Sequence, residues 1–399
     1  MNLLIIEPEI KGHFISLYVR RVIKSFKNKD IKILILTSKK ILSHESLKIL
    51  KAEKIDFELH FMDELDYPTN KSFFNLVNFQ IKNYHKIKKS FEEVFRKRQV
   101  DHVFLTSFEH FDKILSLFGS PFRDIPFSGI MVNPRHHHYY IGFTSDFFKD
   151  FVNNFLLKRL IANDKLNKVF TNDELFQKYI VKRYNKFHKK FLYFTEPVKL
   201  KKKYSNLQAK KKLNISKNFF IIMVYGALRE SKSIIELIEL VSKIKNNEIK
   251  IVLAGEQNDN IKKQLSNSFV KNLIKRGKII VYDKFISTKK ESVLFSAADA
   301  LWCVYKDTPL GSSGVFFLAN DAKLPIITNK HGLVGYYNKN YSLGPILDVD
   351  NNFQKSCEII ENLALKDSIY YSFIKNHIKF GNKISKHQKF SELISKNIK

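Results

Sequence analysis

Cysteine is almost absent from this chain. Cys303 and Cys357 are the only two in 399 residues, and both stand in apolar or helical surroundings. That excludes a disulfide framework and fits a reducing compartment. Long apolar runs are missing too, since none approaches the roughly 18–20 residues that a transmembrane helix needs. The opening MNLLIIEPEIKGH meets an acid after six residues, too soon for a secretory signal. A cytoplasmic protein is the expectation. No G-x-x-x-x-G-K-[ST], no G-x-G-x-x-G after the first strand and no G-x-S-x-G occur. P-loop, dinucleotide-binding and esterase chemistry therefore lack their mechanical parts. Acidic residues are scarce, 39 against 69 Lys and Arg, for a formal charge of +30. Such a surplus attracts polyanions: nucleic acid, anionic lipid or phosphorylated substrates. It is also what a general bias toward Lys, Asn, Ile and Phe would produce.

Core material is plentiful. Apolar residues make up 44%, with 36 Phe and 17 Tyr, enough for two domains. Apolar strands at 3–6, 31–37, 100–107 and 127–133 alternate with amphipathic helices, the first over about 15–26. This pattern predicts a parallel sheet covered on both faces, with ligands at the carboxyl ends of its strands. A Phe-rich helix at 145–161 and a short strand at 169–172 follow. The strand that ends at Glu196-Pro197 leads into a basic linker. The alternation restarts with strands at 219–226, 250–255, 278–283, 299–305, 325–329 and 345–349, and helices at 231–245, 259–275 and 288–297. The expected fold class is α/β, as two doubly wound, Rossmann-like domains. Their bounds are 1–197 and 198–380, with a basic helical tail at 381–399 that packs back on the first domain.

The segment PLGSSGVFFLANDAKLPIITNKHGLVG (309–335) carries the strongest signal. Ser312, Ser313 and Gly314 stand where a helix begins, and a helix start of this kind is an anion site. Gly226 ends the strand at 219–226, and Arg229 and Lys232 follow it. A planar fork and a point charge three residues apart suit a diphosphate. Their alternative reading is a solvated helix start, which places cations against the helix dipole. Glu256 and Phe285 follow the next strands; Phe285 could hold a nucleobase, or simply fill core. In the first half, Gly12 admits a close backbone approach and His13 could serve as base or hydrogen-bond partner. Arg135-His136-His137-His138-Tyr139-Tyr140 reads as a substrate-facing loop, with one or two functional members and the rest solvated. Its consecutive histidines are not spaced for one metal. Asp348-Val349-Asp350 spells a metal-binding pair of other sugar transferases, but Asp and Asn are ordinary turn formers here.

These features resemble the GT-B glycosyltransferases. The likeness is to the large retaining family (group 1, family 4-like) that holds many bacterial polysaccharide and lipopolysaccharide transferases. It rests on the Lys11-Gly12-His13 turn, on Thr195-Glu196-Pro197, on Gly226, Arg229 and Lys232, and on 311–328. The resemblance implies transfer of a sugar from a nucleoside diphosphate, with no cofactor beyond that co-substrate and no metal. Catalytic roles would fall to His13, His136, Arg229 and Lys232. The donor would be held by Gly12, Gly226, Glu256, Phe285, Asp307, Ser312, Ser313 and Gly314. Domain closure would bring His13 and the 135–138 loop to the sugar. The family's two glutamates fall on Leu310 and Leu318, which leaves sugar and ribose contacts altered; Asp307 or Glu256 is the candidate replacement. The implied acceptor is a glycan or a lipid-linked sugar.

The basic surplus then suggests peripheral attachment to an anionic membrane. Residues 73–98 and 147–160 mix aromatics with Lys and Arg, as helices lying on headgroups do. A core face backed by a solvated basic face reads equally well. The rival functions are a nucleotide-sugar epimerase or a phosphorylase of the same architecture, a transferase without activity, and a basic protein that binds nucleic acid or membrane. Nucleic acid is disfavoured, because no binding module is present and the lysines are spread along the chain.

Overall fold

Every strand among the described residues belongs to one of two parallel sheets. The computed structural model describes residues 1–10, 14–27, 29–65, 73–195, 198–306, 311, 313–385 and 390–398. The first sheet is built from β1 (Asn2–Glu7), β2 (Lys32–Ser38), β3 (Glu58–Met62), β4 (His102–Leu105), β5 (Phe127–Met131), β6 (Leu166–Thr171) and β7 (Phe191–Tyr193). Their spatial order is β3-β2-β1-β4-β5-β6-β7. The second sheet holds β8 (Phe220–Tyr225), β9 (Ile249–Ala254), β10 (Ile279–Tyr282), β11 (Ala300–Cys303) and β12 (Ile326–Thr328), ordered β10-β9-β8-β11-β12. The α/β class and the doubly wound plan expected from the sequence are both present.

Strand composition explains the burial. In β1 the alternate residues Leu4 and Ile6 pack into one apolar cluster, while Leu3 and Ile5 pack into another on the opposite face. Period-two alternation of this kind leaves no polar face, which is why the run is continuously apolar. Strand order reverses between β1 and β4, and again between β8 and β11. At each reversal the connections leave in opposite directions, which opens a crevice at the carboxyl ends of the strands.

By contacts the chain divides into Met1–Thr195 with His387–Lys399, and Glu196–Lys386. The helix Phe390–Asn397 completes the first unit. Its Phe390, Leu393 and Ile394, with Ile398 beyond it, are buried beside Tyr18, Val22 and Phe194.

Three local readings change. β3 was not anticipated, because ELHFM at a sheet edge buries only Met62 and lacks the apolar run of its neighbours. The segment expected as a strand at 345–349 makes a single bridge, Ile346 to Thr328; Pro345 supplies a carbonyl but has no N–H for a ladder. The helix expected over 259–275 is two helices, Asp259–Leu265 and Ser268–Lys275. Asn267 separates them by capping, its side chain accepting from the Phe269 amide at 2.9 Å.

Candidate functional site

The second unit's crevice is built from glycine first. β8 and β9 end at Tyr225 and Ala254, and each is followed by a glycine with positive φ, +88° at Gly226 and +147° at Gly255. A Cβ on Gly255 would lie 2.0 Å from the Gly226 carbonyl oxygen, so the two exit turns pack backbone to backbone. A Cβ on Gly226 would meet Lys232 Nζ at 3.3 Å and Val315 Cγ2 at 3.7 Å. One small space is thus shared by a glycine turn, a lysine ammonium and the first turn of the helix Gly314–Ala322.

The loop carrying Lys232 is tied down at several points. Trp302 on β11 donates its indole N–H to the Lys232 carbonyl at 2.9 Å. The Lys306 amide donates to the Ser231 carbonyl at 3.1 Å. Glu230 accepts from Asn258 Nδ2 at 2.8 Å. Ser233 takes a left-handed conformation at φ +47°, which turns the chain into the helix Ile234–Lys243. These bonds fix the loop's register on β11 and thereby aim Lys232 back toward Gly226.

Lys232 Nζ donates to the Tyr225 carbonyl, the one acceptor it has among the described residues. An ammonium has three donors, so further capacity points into the crevice. Burial pulls this ammonium down to about 8; the Cys303 thiol opposes that shift and the nearby Arg229 charge adds to it. The Arg229 side chain is exposed and has no ion-pair partner among the described residues. Ser313 precedes the helix without capping it through its side chain; it hydrogen-bonds Tyr305, whose hydroxyl burial holds in the neutral form. Burial also pushes the Cys303 thiol up to about 12, so it is an inert neighbour. Two cations and uncapped helix N–H groups beside a glycine turn are groups that can hold a multiply charged anion.

The chain matches no protein-family model and no curated protein sequence. Solved structures do match it, along nearly the full length of both chains. Anabaena HepE in complex with UDP is 13% identical, with 100% of this chain and 98% of that one covered, at a TM-score of 0.64. Sucrose-phosphate synthase from Thermosynechococcus elongatus is 12% identical, covering 99% and 96%, at 0.68. WaaG, a glycosyltransferase involved in lipopolysaccharide biosynthesis, is 12% identical, covering 99% and 98%, at 0.62. The fold is GT-B. A Listeria monocytogenes chain described as a UDP-N-acetylglucosamine 2-epimerase shares it at 10% identity and a TM-score of 0.58.

Within this GT-B fold, Gly226, Lys232, Ser313 and Gly314 fall in one place, with Arg229 beside them. Glu256 is exposed at the exit of β9, and its carbonyl accepts from the Leu228 amide at 2.8 Å. Phe285 follows β10, two strands from β8, and is 73% exposed, so the core-filling reading is overturned. Gly12, His13, Asp307 and Ser312 lie outside the described residues, as does Leu310. Leu318 is buried in the helix that Gly314 opens. Asp348 belongs to a turn, accepting from Asn351 Nδ2 at 2.9 Å. With Asp350, Tyr305, Lys306, Lys330 and His331 it lines a cavity of about 420 Å³.

The histidine loop of the first unit needs correction. His136, His137 and His138 are all buried rather than solvated. His136 has both ring nitrogens occupied, Nδ1 by the Asn153 carbonyl at 2.9 Å and Nε2 by Asp112 at 3.2 Å. His137 packs against Phe176 and Tyr179, and burial pulls His138 down to about 4. Aromatic neighbours brought by the helix Glu174–Arg183, far off in sequence, turned this cluster inward.

The strand ends of the first unit carry two carboxylates, at Glu7 and Glu109, to which the sequence alone assigned no role. Glu7, at the end of β1, is fully buried, and burial pushes it up to about 7. It accepts from Thr106 Oγ1 at 2.7 Å, Ser107 Oγ at 2.5 Å and the Glu9 amide at 2.8 Å. Glu109 is raised to about 7 by burial as well, and holds the amides of Val132 and Asn133. The available signal was an acid closing the apolar run LLIIE beside a strand that ends in Thr106-Ser107. Trp302 was missed for a similar reason: it reads as an apolar strand residue of β11, whereas its indole also anchors the Lys232 loop.

Proposed function

We propose that this chain is a glycosyltransferase that takes its sugar from a nucleoside diphosphate, bound in the crevice of the second unit. The observation that carries the reading is the Lys232 ammonium, held against Gly226 and the first turn of the helix Gly314–Ala322. Breaking the anomeric C–O bond leaves an electron pair on the β-phosphate oxygen. Lys232 and Arg229 would offset that charge, and pre-placed charge of this kind commonly contributes several kcal/mol to catalysis. HepE, a fold neighbour, has been solved with UDP and with UDP-glucose, which makes uridine nucleotides the first donors to try. A glycan or lipid-linked acceptor, retention at the anomeric carbon and turnover without metal complete the proposal.

Thermal-shift titration against UDP, GDP and CMP tests the site directly. A true ligand at 100 times its Kd adds about 2.7 kcal/mol to the stability of the native state. Lys232→Ala should weaken nucleotide binding at least tenfold, roughly 1.4 kcal/mol, and leave the melting temperature of the unliganded protein near that of the wild type. No shift with any nucleoside diphosphate, or equal shifts in both proteins, would sink the site. Incubation with UDP-sugars in EDTA then separates chemistries by product. Epimer formed without acceptor would favour the epimerase class represented by the Listeria neighbour.

A further inference from the structure

Helices on a protein surface ordinarily turn polar residues outward. The helix Phe147–Ala162 departs from this. Its inner face buries Leu156, Leu157, Leu160 and Ile161, as expected. Its outer face carries Phe147, Phe148, Phe151 and Phe155, which are 64%, 76%, 62% and 52% exposed. At 3.6 residues per turn these four rings share an arc of about 100°. Tyr139 extends the patch, its ring 5.7 Å from that of Phe147. Exposed aromatic surface here comes to roughly 400–600 Å², at the upper end for a monomer with no partner.

Compositional bias does not explain the patch. The helix Phe73–Lys97 draws on the same amino acids but buries Tyr84, Ile87, Phe91 and Val94 and exposes Lys82, His85, Lys88 and Lys89. There the core-face reading holds. Of the two, among the described residues, it is the later helix that leaves a row of rings uncovered, and cations border them. Lys158 shares the arc of the rings, and the Arg159 guanidinium lies 5.9 Å from the Phe155 ring. Asp146 and Asp150 are the acids on the same element.

We infer that this face docks on an anionic lipid bilayer, with the phenylalanines entering the acyl boundary and Lys158 and Arg159 meeting headgroup phosphates. Charge decides against a second copy of the chain. A two-fold contact places the same patch on both sides, so the basic border would face itself. An anionic bilayer supplies both the apolar depth and the opposite charge. The inference does not depend on the donor site, which lies in the other unit.

Co-sedimentation with vesicles tests it on the full chain. Vesicles of phosphatidylcholine with roughly 30 mol% phosphatidylglycerol should pellet the protein, and pure phosphatidylcholine at least tenfold less. Binding should fall as salt is raised, since the headgroup attraction is screened. The double variant Phe148→Ser with Phe151→Ser should lose about tenfold or more in partitioning while keeping its melting temperature, because both rings are already in water. Lys158→Glu should lose binding to the anionic vesicles selectively. Failure of the wild type to pellet with anionic vesicles overturns the inference, as does unchanged binding by the serine variant. A concentration-dependent dimer in sedimentation velocity, abolished by the serine variant, would assign the face to self-association instead. UDP affinity measured on the same variants keeps the two proposals apart, since the serine pair should not alter it.

Discussion

Lys232 is the residue whose chemistry depends most on its surroundings. Its ammonium gives up water for one carbonyl and a glycine-walled space, which lowers its proton affinity to about 8. A diphosphate entering that space would favour the charged form and raise the value again. The sign follows. Below pH 8 the lysine is already charged, and nucleotide affinity should be nearly flat. Above pH 8 each complex must first take up a proton, so affinity should fall by up to tenfold per pH unit until the raised value of the complex is passed. Calorimetric titration of UDP at pH 7, 8, 9 and 10 in buffers of different ionisation enthalpy would show both the fall and the proton uptake. A flat profile to pH 10 would remove Lys232 from the anion's contacts. The residue type and spacing were legible in the sequence as Gly226, Arg229 and Lys232. Its depressed proton affinity was not, since the burial that causes it comes from packing under β11, whose Trp302 anchors the loop from 70 positions later.

At the scale of elements, the exit turns of β8 and β9 are the most constrained backbone in the site. Gly255→Ala would set a methyl 2.0 Å from the Gly226 oxygen, at a φ of +147° that L side chains rarely adopt. A loss of about 3 kcal/mol is expected, together with a displaced Gly226 and weaker nucleotide binding; denaturant unfolding measures the first and thermal shift the second. Gly314→Ala should be mild by contrast, because the nearest atom to its Cβ would be Val198 Cγ2 at 3.7 Å. Strands and their alternation with helices were legible because parallel strands buried on both faces are continuously apolar, as LLII and IIMV are. Edge elements such as β3 escaped because half-exposed strands lose that run. The histidine loop misled for the converse reason: local polarity suggested solvent, while Phe176 and Tyr179 supplied an apolar surround that sequence proximity does not reveal.

For the molecule as a whole, the first unit is assembled from two stretches of chain, Met1–Thr195 and His387–Lys399. Phe390, Leu393, Ile394 and Ile398 are each 5% exposed or less. Burying side chains of this size contributes roughly 1.5–3 kcal/mol apiece, so deleting 387–399 should cost the first unit several kcal/mol. Calorimetry should show its transition falling by roughly 10 °C or more while that of the second unit stays in place. A truncated protein that melts like the full chain would show that the helix Phe390–Asn397 contributes little. The same arrangement sets an order of events on the ribosome. All of Glu196–Lys386 is made after the first sheet and before the helix that closes one of its faces. At about 5–20 residues per second that interval is roughly 10–40 s. Throughout it, the apolar face around Tyr18, Val22 and Phe194 stands open to solvent, a nascent-chain surface that a holding chaperone would meet before the chain's own last helix does.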